Sequence, residues 1–159
     1  MHIGDFFDLK MLDEIMRSWS KATGLATVAV DNEGKYISGE IGFTDFCIKY
    51  TRGSKEGCRR CVKCDNECSG TYYCHAGLMD FSHDIIVDGQ FMGKIIGGQV
   101  LPGAPDEDKF RSMAVELGID PDKYIEALRK VPIRSEESIR AASELLGRVV
   151  NMLVNFEYS

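Results

Sequence analysis

The chain has 159 residues, of which 44% are hydrophobic and 28% are charged, so its size and composition suit one globular domain and exclude a disordered or collagen-like chain. With 19 basic and 25 acidic residues the formal net charge is −6, which gives no electrostatic reason to bind nucleic acid or an anionic membrane surface. No stretch approaches the roughly 20 consecutive apolar residues of a membrane-spanning helix, and the N-terminus shows no export signal, so we expect a cytoplasmic protein.

Two elements are predicted at the start of the chain. Between residues 8 and 22 the apolar residues recur at steps of three and four, a spacing typical of an amphipathic helix, and Gly24 is suited to end it. The β-rich run 25–30 follows, and turn-forming residues at 31–34 separate it from 35–38. This pattern predicts a β-hairpin.

A short helix and a cysteine-rich stretch come next. Residues 44–50 have a helical pattern with Thr44 or Asp45 as the cap. The stretch 57–74 is too polar to be buried by apolar packing alone. Its cysteines therefore need a chemical explanation.

The strongest strand signal surrounds Asp88-Gly89, a dipeptide typical of two-residue hairpin turns. The flanking runs 81–87 and 90–100 are β-rich, so we predict an antiparallel hairpin. Glycines interrupt the second arm at positions 93, 97 and 98. Because each glycine weakens a strand by about 0.5–1 kcal/mol, they indicate a bulge or the close approach of another element or a ligand.

Three helices are predicted in the last third of the chain. Acidic residues near the starts of 106–118 and 121–130 favour two packing helices, and Ser135 and Ser138 offer N-caps for a long helix over 135–158. The apolar residues of the long helix share one side: Ile139, Ala142, Leu145, Leu146, Val149, Val150, Leu153 and Val154. Such a helix packs on its own sheet, forms a dimer seam, or connects to a following domain.

Helices at both ends and hairpin strands between them favour an α+β fold over a doubly wound parallel sheet. We expect one domain over residues 1–159, with a central antiparallel sheet flanked by helices. A ligand pocket would then lie between the sheet and the helices.

The sharpest chemical signal is a run of closely spaced cysteines. Cys58, Cys61, Cys64 and Cys68 follow the pattern C-x2-C-x2-C-x3-C. In a reducing compartment such spacing is more typical of metal binding than of disulfides, and soft thiolates favour zinc or an iron–sulfur cluster.

The spacing leaves the kind of centre open. It is the spacing of bacterial [4Fe–4S] proteins, although Ser69 stands where a proline usually follows and a second cysteine run is missing. Zinc needs four ligands, and the six cysteines with His75 offer more than one set. Free or oxidised thiols are the third alternative.

No catalytic arrangement is evident. Acidic and histidine side chains cluster near the predicted hairpin turn: Asp80, His83, Asp84 and Asp88. None stands at a catalytic spacing from a nucleophile, so we expect them to be solvated. Cys74 and His75 are adjacent, and neighbours in a strand point to opposite faces, which disfavours a nucleophile–base pair. We therefore expect a protein that is not an enzyme.

Two motifs resemble a known family. The run Tyr-Cys-His-Ala-Gly-Leu-Met-Asp-Phe at 73–81 and the run Gly-Gly-Gln-Val-Leu at 97–101 closely resemble the PocR sensory domain. Phe46-Cys47, residues 57–65 and Val131-Pro132 fall in the order of that family, so the resemblance covers nearly the whole chain. It implies a PAS-like domain that senses small organic molecules, such as diols and other hydrocarbon derivatives. Its output module would be a histidine kinase, a diguanylate cyclase or an AraC-type DNA-binding module.

The resemblance also implies a ligand set for the metal. The cysteine positions of the family match Cys47, Cys61 and Cys74, and with His75 they make a Cys3His set suited to zinc. Cys58, Cys64 and Cys68 are additions in this sequence, so a four-cysteine set with Cys61 is the alternative.

The first functional hypothesis is a sensor whose organic ligand lies in the pocket and whose signal leaves through the terminal helix, either to an output domain or within a homodimer. We expect five pocket-wall residues, with Gln99 as the main polar one: Trp19, Tyr73, Phe81, Phe91 and Gln99. The second hypothesis is a redox or metal sensor in which the zinc or iron–sulfur centre is itself sensed.

Overall fold

The computed structural model describes residues 2–159 and contains a four-stranded antiparallel sheet in the order β1-β4-β3-β2. The strands are β1 (Ala26–Asp31), β2 (Gly70–Tyr73), β3 (Met79–Val87) and β4 (Gln90–Val100). The helices are α1 (Leu9–Thr23), α2 (Lys55–Glu67), α3 (Glu107–Leu117), α4 (Pro121–Leu128) and α5 (Glu136–Tyr158), with a 3-10 helix at Ile3–Asp5 and a π-helix at Phe46–Thr51. The predicted α+β, PAS-like class with a long C-terminal helix is confirmed.

The helix ends follow the capping residues of the sequence. Asp8 Oδ1 accepts a hydrogen bond from Lys10 N at 2.9 Å at the start of α1, and Gly24 ends this helix in the left-handed conformation that favours glycine. Ser135 Oγ accepts from Ser138 N at 3.1 Å at the start of α5. Within residues 2–159, no helix is long and apolar enough to cross a membrane.

The β3–β4 hairpin forms the centre of the sheet, and its turn is the predicted Asp88-Gly89 pair, with positive φ at both residues. On its other side β4 pairs with β1. A Cβ atom at Gly93 or Gly97 would collide with carbonyl oxygens of β1. The glycines of β4 therefore accommodate a neighbouring strand.

One face of the sheet is covered by α1 and α5 and carries the main core. Trp19 from α1 meets Phe81 from β3 edge to face, with ring centroids 5.7 Å apart. The Asn151 side chain fixes α5 on the sheet, because its Oδ1 accepts from Ile86 N at 2.9 Å and its Nδ2 donates to Asp84 O at 3.0 Å. One apolar side of α5 is thus buried against the sheet of the same chain.

A second core lies where the π-helix meets α3 and α4. The Phe46 and Tyr124 rings stack with centroids 4.3 Å apart, and the Tyr124 and Thr51 hydroxyls are hydrogen bonded at 2.8 Å. This cluster anchors the π-helix, so the residues beside it have fixed positions.

The predictions for two strands need correction. The run 35–38 forms no regular strand, although it pairs with β1 through a bridge between Val30 and Tyr36 and through backbone hydrogen bonds from Asp31 N to Lys35 O and from Ile37 N to Ala29 O. The reason is that Ala29 N of β1 donates to the Ser38 side chain at 2.8 Å, where a ladder would use a backbone carbonyl. The strand β2 was not predicted, because its four residues are too few to show a period.

Candidate functional site

A cavity of about 660 Å³ lies on the sheet face opposite α1 and α5. The segment before the π-helix, the π-helix and α2 close it from above. Its apolar walls come from both sides: Val28, Val30 and Ile96 from the sheet, and Phe43, Ile48 and Val62 from the covering segments. Its polar groups include Asp80 and Gln99 on the sheet and Arg52 and Asp65 opposite.

Strand alternation decides which side chains of β3 reach this cavity. Successive side chains point to opposite faces, so Phe81 in the main core places Asp80 on the cavity side. The expectation that Asp80 is a solvated residue near a turn was therefore wrong. The predicted strand began at residue 81, whereas β3 begins at Met79. With the earlier start, Asp80 would have been recognised as an interior strand residue.

The five expected pocket-wall residues do not lie together. Phe91 and Gln99 line the cavity. Trp19 and Phe81 pack against each other on the opposite face of the sheet, and Tyr73 is 53% exposed at the end of β2. Because α1 and β3 direct the Trp19 and Phe81 rings into the main core, these two rings lie away from the cavity.

Gln99 links the cavity floor to the segment that covers it. Its backbone has a positive φ of 55°, and its Oε1 accepts hydrogen bonds from Thr44 N at 2.7 Å and Thr44 Oγ1 at 3.0 Å. Its backbone N donates to Asp80 Oδ1 at 3.0 Å. One residue thus joins β3, β4 and the entrance of the π-helix.

The Asp80 carboxyl has an unusual protonation behaviour. Burial raises its pKa to about 7, and the hydrogen bond from Gln99 N opposes this increase only in part. The negative charge of Asp65 raises the pKa further. Near neutral pH the cavity floor therefore holds a carboxyl group that is partly protonated.

Arg52 and Asp65 form an ion pair across the cavity from Asp80. Arg52 Nη2 lies 2.6 Å from Asp65 Oδ2. Although burial opposes the charge of Arg52, the hydrogen bond to Asp65 keeps its pKa above the ordinary value. Neither residue was predicted from the sequence, because the two lie 13 positions apart and belong to different elements.

The predicted Cys3His residues come together only in part. Cys61 on α2 has its Sγ 3.1 Å from Nε2 of His75, which follows β2. The other ring nitrogen, Nδ1 of His75, is buried and has no hydrogen-bond partner among residues 2–159. Two of the four proposed ligands thus meet, and one of them carries an unsatisfied polar atom.

The remaining thiols are buried nearby. Burial raises the pKa of Cys47 to about 12, with a further increase from the charge of Asp80, and it raises the pKa of Cys74 well above its ordinary value. Burial also raises the pKa of Cys61 to about 12 and lowers the pKa of His75. At neutral pH these thiols are protonated unless a metal replaces the proton.

Thiol sulfur and imidazole nitrogen atoms suit zinc, but these side chains are not arranged as a complete zinc site. In the described part of the chain, no group of three or more His, Cys, Asp or Glu side chains is positioned to hold a metal ion, and all six cysteines are free. For the alternative set, Cys58 and Cys68 lie ten residues apart on α2 and its C-cap, a rise of about 15 Å. Cys58, Cys61, Cys64 and Cys68 therefore do not converge on one centre while the helix is intact.

Comparisons with known proteins identify the family of this chain. A family model described as the sensory domain found in PocR matches residues 5–158. The regulatory protein PocR of Salmonella typhimurium is 30% identical over an alignment of 152 residues that covers 89% of this chain and 49% of the relative, so the chain spans about half the length of that protein. No solved structure matches the chain. The chain belongs to the family of sensory domains found in PocR.

Proposed function

We propose that this chain is a cytoplasmic, noncatalytic sensor domain that binds a small organic ligand, of the diol or hydrocarbon-derivative class, beside Asp80 and Gln99. The main observation in support of this proposal is the cavity of about 660 Å³. It combines apolar walls with polar groups on both sides, and in small-molecule sites such polar groups fix the orientation of the ligand. Membership of a sensory-domain family supports the same role.

The signal would leave through the end of β4. Two residues after Gln99, Leu101 N donates to Pro132 O at 2.9 Å, and Arg134 N donates to Leu101 O at 3.0 Å. Ser135, the next residue, caps α5. A ligand that contacts Gln99 thus acts on a backbone segment that leads into α5. It shifts α5 only if it binds the two arrangements with different affinities.

The partner of α5 would be an output module, such as a histidine kinase or a DNA-binding domain, on a longer chain. The relative is a regulatory protein about twice as long as the matched segment, which supports this arrangement. The domain itself would then contact neither nucleic acid nor membrane, in line with its net charge of −6.

Filling the cavity should abolish ligand binding. We expect Ile96→Trp, which adds a ring to a partly exposed cavity wall, to remove the increase in melting temperature that hexane-1,2-diol causes in the original domain. The matched control is Val115→Trp on α3, where the side chain is 70% exposed and far from the cavity. Differential scanning fluorimetry of the three proteins measures this. An equal shift in the Ile96 variant would place the ligand elsewhere.

We also propose a metal centre near the pocket, held by Cys47, Cys61, Cys74 and His75, and the 3.1 Å contact between Cys61 and His75 favours it. Bound zinc would stabilise the fold by joining α2, the π-helix and the segment after β2. In the alternative function, a redox or metal sensor, an iron–sulfur cluster or the zinc itself would be the sensed centre.

Elemental analysis and a visible spectrum of anaerobically purified protein test this centre. We expect one zinc per chain, and we expect Cys61→Ser to lose it while Cys58→Ser retains it, because Cys58 is absent from the Cys3His set. Iron with broad absorption near ~400 nm would favour the redox sensor. Protein free of metal would contradict both forms of the centre.

The solvent side of α5 supports association with a second copy. Leu145, Met152 and Phe156 are 57%, 63% and 76% exposed, and with Val149 between them they follow steps of four, three and four residues. This is the heptad spacing of two helices that pack together. Because the stripe comprises four side chains, we propose a weak, reversible homodimer and not a stable complex, which typically buries roughly 800 Å² per partner.

Sedimentation over a range of concentrations measures this association. We expect the double substitution Leu145→Glu and Met152→Glu to leave only monomer, because it buries charges in the seam. Val115→Glu on α3 is the control, since this exposed position lies outside the seam. A parent domain that stays monomeric at all concentrations would contradict the homodimer.

A further inference from the structure

Asp80 lies on the sheet side of the cavity, and one of its two carboxylate oxygens lacks a hydrogen-bond partner among residues 2–159. Its Oδ1 accepts from Gln99 N at 3.0 Å, whereas its Oδ2 makes no hydrogen bond to any of residues 2–159. Gly98 lies beside it, and a Cβ atom there would stand 2.6 Å from Asp80 Cα. The absence of a side chain at Gly98 therefore lets β3, with Asp80, approach β4 closely.

Among residues 2–159, no cationic side chain forms an ion pair with this carboxylate. Arg52, which faces the cavity, is committed to Asp65 at 2.6 Å. Lys94 also lines the cavity, but it stands four residues from Gly98 along β4, a distance of about 13 Å. The charge of Asp80 is thus left for a ligand to balance.

Other unpaired polar groups surround Asp80. The β2–β3 register places Tyr72 directly opposite Asp80, and Ser82 is two residues further along β3 on the same face. The Tyr72 and Ser82 hydroxyls are both buried and lack hydrogen-bond partners among residues 2–159. Buried polar atoms are rarely left unpaired, so the protein interior beside Asp80 holds more polar groups than its own hydrogen bonds satisfy, although Tyr72 and Ser82 do not themselves line the cavity.

We propose that Asp80 is the polar anchor of the cavity and that it selects ligands whose polar end carries O–H or N–H donors, while it rejects ligands with a carboxylate at that end. This inference rests on the proposed ligand-binding function and adds the residue and the charge class. A hydroxyl or ammonium hydrogen would give Asp80 Oδ2 the missing partner. A carboxylate would bring another negative charge next to Asp80, while the nearby Arg52 is already paired with Asp65.

A series of three compounds with the same carbon skeleton tests the selectivity: hexane-1,2-diol, 1-aminohexan-2-ol and 2-hydroxyhexanoate. We expect calorimetric titration at pH 8 to show binding of the diol and the amino alcohol, and at least tenfold weaker binding of the hydroxy acid. In Asp80→Asn we expect the amino alcohol to lose at least tenfold in affinity and the hydroxy acid to gain. Asp84→Asn, an exposed position on the same strand, should change none of the three.

The outcomes separate the two levels of the proposal. If the hydroxy acid binds as tightly as the diol, or if Asp80→Asn leaves the ranking unchanged, the anchor role of Asp80 is wrong and the cavity still binds a ligand. If none of the three compounds binds, the proposed ligand-binding function fails, and the anchor role fails with it. Asparagine can still accept the hydrogen bond from Gln99 N, so loss of folding is not expected to obscure the result.

Discussion

Replacing Asp80 with asparagine should increase the free energy of unfolding at pH 8 by about 3–4 kcal/mol, because it removes the cost of ionising a buried carboxyl. Burial raises the pKa of Asp80 to about 7 in the folded protein, against 3.8 for the ordinary side chain. The substituted amide keeps the hydrogen bond from Gln99 N. A single conservative change at the cavity floor is thus expected to stabilise the domain.

The pH dependence of the free energy of unfolding tests whether the Asp80 carboxyl causes this effect. Between pH 4 and pH 7 the folded state holds a proton on Asp80 that the unfolded state has lost, so the stability of the original protein falls as the pH rises through this window. The advantage of Asp80→Asn should therefore be small at pH 4, increase through this range and level off above pH 7. Urea unfolding at pH 4, 6 and 8 measures it, with Asp84→Asn as the control. A difference that does not change with pH would show that the carboxyl is not buried as described.

Substituting Phe81 and Phe91 with alanine should separate stability from binding. Phe81 is fully buried and packs against Trp19, so we expect Phe81→Ala to cost about 3–5 kcal/mol of unfolding free energy. Phe91 is 42% exposed on the cavity wall, so Phe91→Ala should cost less than about 1 kcal/mol. Binding of hexane-1,2-diol should weaken only in the Phe91 variant.

Chemical unfolding and calorimetric titration of the same two variants measure these effects. The pair is matched, because both substitutions remove the same ring from strands of one hairpin. If the Phe81 variant remains folded but no longer binds hexane-1,2-diol, Phe81 lines the cavity and its assignment to the main core is wrong. Equal losses of stability would contradict the assignment of the two rings to opposite sides of the sheet.

Local features of the fold were predictable because their causes lie within a few residues. The Asp88-Gly89 turn, Gly24 at the end of α1 and the Ser135 cap of α5 depend on neighbouring backbone groups. The helix over residues 55–67 was less visible, because cysteines and charged residues replace the apolar stripe that normally reveals a helix.

The candidate site was predictable only in part. Gln99 and Phe91 were expected in the pocket and line the cavity, whereas Asp80, Arg52 and Asp65 were not expected there. Arg52 and Asp65 gain their role from an ion pair that forms only when α2 folds back beside the π-helix. A sequence pattern contains no signal for a contact of this kind.

The sequence by itself determined the family, the α+β class, the capped helices and the thiol-rich chemistry of this protein, since these depend on residue type and short-range order. Only the tertiary structure decided which face of the sheet holds the cavity and that the Cys61 thiol meets His75. The physical reason is that α1 and α5 cover one face and leave the other to the π-helix and α2. Because strand side chains alternate, that choice turns Phe81 into a core residue and Asp80 into the floor of the cavity.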